Sequence, residues 1–189
     1  MNKLLFMFLL LPFTSGYSQQ CIEGNCENGK GTYVFLNVVS QGEFKNGELV
    51  KGKIKFGDLF IYEGEFKNDK LNGQGKIITR GGIMIEEGEF TDGKLNGQGK
   101  RIHNGGKMIE EGEFIDNKIV KGKITLKDLM IYEGEFIDSQ LNGKGKATFN
   151  DGNILEGEFT DGKLNGQGKM TLKDGTVIEG KWKKGKFKG

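Results

Sequence analysis

After the first score of residues, polar and apolar positions alternate in short runs. Tyr62-Glu63-Gly64-Glu65-Phe66 sets Tyr62, Gly64 and Phe66 on one side of an extended chain and Glu63 and Glu65 on the other. Lys67 to Asn72 are polar turn formers, Gly73-Gln74-Gly75-Lys76-Ile77-Ile78-Thr79 is a second extended stretch, and Arg80-Gly81-Gly82 is a turn signal ahead of Ile83. The pattern predicts a β-hairpin joined to the next by another tight turn. No later segment keeps a helical apolar period free of interior glycine, so the expected class is all-β, with no helices in the mature chain.

The hairpin recurs. GEFTDGKLNGQGK at Gly88 to Lys100 returns letter for letter at Gly157 to Lys169, and a looser GEF or GKW begins at Gly42, Gly64, Gly88, Gly112, Gly134, Gly157 and Gly180. These starts lie roughly 22 to 24 residues apart, the mark of a repeat array. A longer period of about 70 residues relates Val50-Lys51-Gly52-Lys53-Ile54 to Val120-Lys121-Gly122-Lys123-Ile124, and Asp58-Leu59 to Asp128-Leu129, as if three repeats had been copied as a block. Those two repeats lack the full Asn-Gly-x-Gly turn, and their hairpins should be shorter or differently bent. The expected organisation is a leader over 1–18, a degenerate capping repeat over 19–40, and an array over 41–189. Its repeats start near 41, 62, 86, 110, 132, 155 and 178, the last truncated.

Composition changes this picture little. Thirty-three glycines and one proline in 189 residues would suit disorder, but the glycines fall at fixed places in the period and alternate with Phe, Tyr and Ile. Lys3 followed by apolar Leu4 to Phe13 and small Gly16-Tyr17-Ser18 reads as a secretory signal cut after Ser18; the alternative, a retained anchor, would need about 20 apolar residues. A secreted or periplasmic protein is expected. The 28 basic and 26 acidic residues nearly cancel, which predicts no general field for nucleic acid. Cys21 and Cys26 stand close together just after the expected cut, as a disulfide clip or as free thiols.

Candidate chemistry is sparse. His103 is the one histidine and is expected to be a surface strand or turn residue. No serine or cysteine sits in a nucleophile motif, and Gly73-Gln74-Gly75 opens no helix to hold a phosphate. An enzyme is not expected, nor a cofactor or a metal site.

The Tyr-x-Gly-x-Phe pattern followed by Asn-Gly-x-Gly resembles the MORN repeat, the membrane occupation and recognition nexus motif, over nearly all of Cys21 to Gly189. That resemblance implies an elongated single-layer antiparallel sheet of consecutive hairpins. The motif's first aromatic survives only at Tyr62 and Tyr132, being Glu86, Glu110, Leu155 and Ile178 elsewhere, and its tryptophan is Phe in all but Trp182.

With the hairpins side by side, Phe44, Phe66, Phe90, Phe114, Phe136, Phe159 and Trp182 form a column flanked by glycines. Together with Tyr62 and Tyr132 it is the candidate interaction face for a protein partner or self-association. The alternative is a narrow core closed by sheet curvature. The opposite face should carry cross-strand Glu–Lys pairs. At the C-terminus Lys181, Lys183, Lys184, Lys186 and Lys188 interleave with Trp182 and Phe187, either to meet an anionic lipid or envelope surface or to guard an edge strand. The expected function is a non-enzymatic interaction or assembly scaffold, exported from the cytoplasm. Peripheral membrane binding through the tail is the alternative, followed by an accessory subunit of an enzyme.

Overall fold

The computed structural model describes residues 20–189; the expected leader and the cleavage expected after Ser18 lie outside the described residues. The strands are β1 Gln20–Gly24, β2 Asn28–Phe35, β3 Val38–Lys45, β4 Glu48–Phe56, β5 Phe60–Lys67, β6 Lys70–Thr79, β7 Met84–Thr91 and β8 Lys94–His103. They continue with β9 Met108–Ile115, β10 Lys118–Leu126, β11 Met130–Ile137, β12 Gln140–Phe149, β13 Ile154–Thr160, β14 Lys163–Thr171, β15 Val177–Lys183 and β16 Lys186–Phe187. All pair antiparallel in chain order within one 16-stranded sheet, roughly 70 Å long at about 4.8 Å per strand. The only helical turns among the described residues are the short 3-10 pieces Arg80–Gly82 and Asn104–Gly106.

The two edges of the sheet are built differently. Along the near edge the hairpins from β3–β4 to β15–β16 each close on two residues with positive φ, as Asn68 (50°) and Asp69 (60°), or Asp92 (50°) and Gly93 (78°) do. This is the primed turn whose twist matches that of the strands. Several of these turns are tied to the hairpin before them, Gly93 N donating to Leu71 O at 2.9 Å and Asn117 N to Leu95 O at 2.9 Å. Along the far edge longer connections such as Arg80 to Ile83 join one hairpin to the next.

The Asn-Gly-x-Gly stretch is not a turn, contrary to expectation. Asn96-Gly97-Gln98-Gly99 lies inside β8, where Leu95 pairs with Phe90 and Gly99 with Gly88. Three residues of β8 therefore face one of β7, a wide bulge that bends the hairpin. In β10 the corresponding bulge holds one residue fewer, Ile119 pairing with Phe114 and Lys121 with Glu113, and β4 and β10 are correspondingly short.

One glycine from every strand from β1 to β15 falls into a single in-register line across the sheet, running through Gly64, Gly75, Gly88, Gly99 and Gly112. Gly88 has φ 144°, and a Cβ there would run into the carbonyl of Gln98. That line is a crease. Arg101, outward of it, donates to the carbonyl of Asn117 in a near-edge turn at 2.9 Å. A flat sheet would hold those two backbones roughly 20 Å apart, so the near flank folds over onto the inner face.

Candidate interaction surface

The crease decides the fate of the aromatic column. Phe44, Phe66, Phe90, Phe114, Phe136, Phe159 and Trp182 are buried on the inner face, each phenylalanine paired with the leucine or isoleucine of its own hairpin and Trp182 with Phe187. Phe90 lies across the backbone of Gly75, close enough that a Cβ there would sit 3.2 Å from the ring. Trp182 also donates its indole N–H to the carbonyl of Gly168 at 2.9 Å. The expected accessible strip is thus corrected. These rings are the core, and the closure of a curved single sheet over its own side chains removes them from solvent.

Outward of the crease runs a first inner row, Tyr62, Ile77, Glu86, Arg101, Glu110, Ile124 and Tyr132 in register. At its centre the apolar pattern breaks. Arg101 Nε donates to Glu86 at 2.6 Å and its Nη1 to Glu110 at 3.3 Å, with the guanidinium 5.3 Å from the centre of the Phe114 ring. Glu110, only 4% exposed at its side chain, also meets His103 Nε2 at 3.0 Å and Ser139 Oγ at 3.4 Å. His103 is therefore no free surface residue: it ends β8 half-buried against a carboxylate. Two buried acids share one arginine and two further donors, and the contacts to Asn117 and Ser139 fasten the near flank in its folded position. Tyr62 and Tyr132 are half-buried at the ends of this row. Burial first, and the nearby Glu86 charge second, raise the Tyr62 phenol above its ordinary value.

A second inner row lies farther out and stays open. Phe56, Phe60, Thr79, Met84, His103, Met108, Leu126, Met130 and Phe149 pair in unbroken register from β4 to β12. All are half-buried except Phe60, which is 39% exposed, and Met108, Leu126 and Phe149 also pack against the core. The rings of Phe56 and Phe60 stand 5.6 and 6.3 Å from that of Tyr62. The copied block makes this strip repeat itself, since Phe56, Phe60 and Tyr62 correspond to Leu126, Met130 and Tyr132 at the offset of about 70 residues. Among them the sequence marks only Tyr62, Tyr132 and His103. The signal for the others is an apolar residue flanking a far-edge connection, as Phe56 and Phe60 or Leu126 and Met130 do.

The outer face carries the charges. Lys53–Glu63, Lys76–Glu87 and Lys100–Glu111 approach to 2.9, 3.0 and 3.4 Å, and Glu156 holds both Lys146 and Lys169. Next to this ladder is an apolar column of half-buried side chains, Ile61, Ile78, Ile85, Ile102 and Ile109, which the alternation had left unremarked.

At the ends, Cys21 and Cys26 are joined in a disulfide beside the β1–β2 hairpin. Lys181, Lys183, Lys184, Lys186 and Lys188 are exposed. Of the two aromatics among them Trp182 is committed to the core, and Phe187 packs against it with ring centres 5.3 Å apart. Phe187 is 44% exposed and is the one of the two rings that this end leaves open to a surface.

The fold and its surfaces define a non-helical repeat array, a stack of β-hairpins each completed by its neighbour. Four stretches match the MORN repeat, residues 62–82, 87–108, 132–154 and 156–177. These four carry the wide Asn-Gly-x-Gly bulge, whereas the unmatched hairpins β3–β4 and β9–β10 have Val-Lys-Gly-Lys in its place. No curated protein matches the chain. The MORN repeats are consistent with a repeat-protein binding or scaffold role.

Proposed function

We propose that the protein is a non-enzymatic interaction scaffold, exported from the cytoplasm, and that its working surface is the open inner strip rather than the buried aromatic column. The observation that carries this reading is the unbroken row from Phe56 to Phe149, apolar but for Thr79 and His103. Phenylalanine and methionine supply large contact area, and methionine's flexible thioether adapts to irregular partners. The rigid crease beneath holds the row in place, so binding orders few side chains. The strip suits an extended or helical protein segment lying across the strands, with its apolar side on Phe60 and Met130 and its ends reaching both copies of the duplicated patch. The leader supports export, since its charged start, apolar run and small residues are those of a secretory signal.

The test is quantitative capture from the native envelope with the wild-type protein and with Phe60→Asp/Met130→Asp. The double variant should fold normally by circular dichroism and lose at least about 10-fold of the captured partner, equivalent to about 1.4 kcal/mol. Equal capture by both forms excludes this strip.

A further inference from the structure

From the outer face we infer that the protein associates with a second copy of itself, back to back, through the isoleucine column on β5 to β9. In the C-terminal half this column alternates Thr125, Ile131, Thr148, Ile154 and Thr171, as a solvated sheet face would. From Ile61 to Ile109 every position is isoleucine. Just beyond, Leu59 and Ile83 stand 50% and 54% exposed in adjoining far-edge connections, linked by the bond from Arg80 N to Leu59 O. A single sheet contributes no second layer to that face.

The charges identify the occupant. Beside the isoleucines, Glu63, Lys76, Glu87, Lys100, Glu111 and Lys123 alternate in sign strand by strand. Such a ladder is complementary to itself when turned about a two-fold axis that runs parallel to the strands between β7 and β8. Glu87 of each copy then meets Lys100 of the other, and Lys76 meets Glu111, while Ile85 stacks on Ile102 and Ile78 on Ile109. An axis on β7 itself would set glutamate on glutamate. One lying a strand earlier would press Lys55 against Ile109, within the patch. Face-packed sheets cross at about 30°, which limits the contact to the central strands, so the dimer is modest and depends on concentration.

Sedimentation equilibrium of the purified protein over a concentration series tests this. Wild type should show a reversible monomer–dimer equilibrium, and Ile78→Thr/Ile102→Thr should weaken it by about 10-fold or more. Thr148 and Thr171 occupy the same column, so threonine is compatible with the fold. Glu87→Lys should also weaken association, and adding Lys100→Glu should restore it. A protein that stays monomeric up to about 1 mM overturns the inference. So does a dimer indifferent to the isoleucine variants, and one abolished instead by Phe60→Asp/Met130→Asp would place self-association on the inner strip.

Discussion

Single residues decide whether this sheet can crease. Gly88 pairs with Gly99 at φ 144°, where an added methyl group would strike the opposite carbonyl, so the alternating pattern admits only glycine there. The cluster around Arg101 is the other decisive site. With side chains 10%, 12% and 4% exposed, Glu86, Arg101 and Glu110 interrupt a row that is otherwise tyrosine and aliphatic. Arg101→Leu would strand two carboxylates and should cost about 3 to 5 kcal/mol. The triple change Glu86→Tyr/Arg101→Ile/Glu110→Tyr extends the Tyr62–Ile77 pairing and should leave stability equal or higher, by the usual behaviour of buried ion clusters replaced with packed apolar groups. Chemical denaturation checks both, and an Arg101→Leu variant as stable as wild type would contradict the role given to the cluster. Glu86 and Glu110 were visible in the sequence as departures from the aromatic position. What brings Arg101, His103 and Ser139 to them is the folding of one flank onto the other, which no local spacing expresses.

At the scale of the hairpin the sequence was partly legible. Period, strand character, the shorter β4 and β10 of two hairpins and the outer Glu–Lys ladder all follow from alternation and glycine placement. The position of the turn does not, because Asp92-Gly93 and Asn96-Gly97 are equally good turn dipeptides lying four residues apart. Burial of Leu95 against Phe90 selects the first, and leaves the second to form the bulge. The same logic makes a prediction at the one Asn-Asp turn. Asp69 holds φ 60° with no glycine to ease it, whereas Gly93 and Gly162 fill that place elsewhere. Asp69→Gly should stabilise the protein by about 1 kcal/mol, read as a rise in melting temperature. An unchanged or lower melting temperature would mean that the turn is not under the strain assigned to it.

Across the whole molecule, hairpins that could not bury their aromatic faces alone do so by folding along a common glycine line, each ring lying on the neighbouring strand. Closure of this kind consumes Phe66, Phe90 and Phe114 and transfers exposure to the row beyond, where Phe60 and Met130 sit. The sequence offered a binding face and a closed core as alternatives for one column of rings; in the structure that column is core, and the proposed binding face lies on the row beyond it. Long-range curvature separates them, and curvature is a property of the assembled sheet. The duplication then has a physical consequence: two similar patches, six strands and roughly 29 Å apart, on one continuous surface. The most direct measurement is site-specific photo-crosslinking in the native envelope from a photoreactive residue at position 60 and, separately, at position 130. Capture of the same polypeptide from both positions is the predicted result, and capture from neither, or of unrelated proteins from the two, would contradict the account.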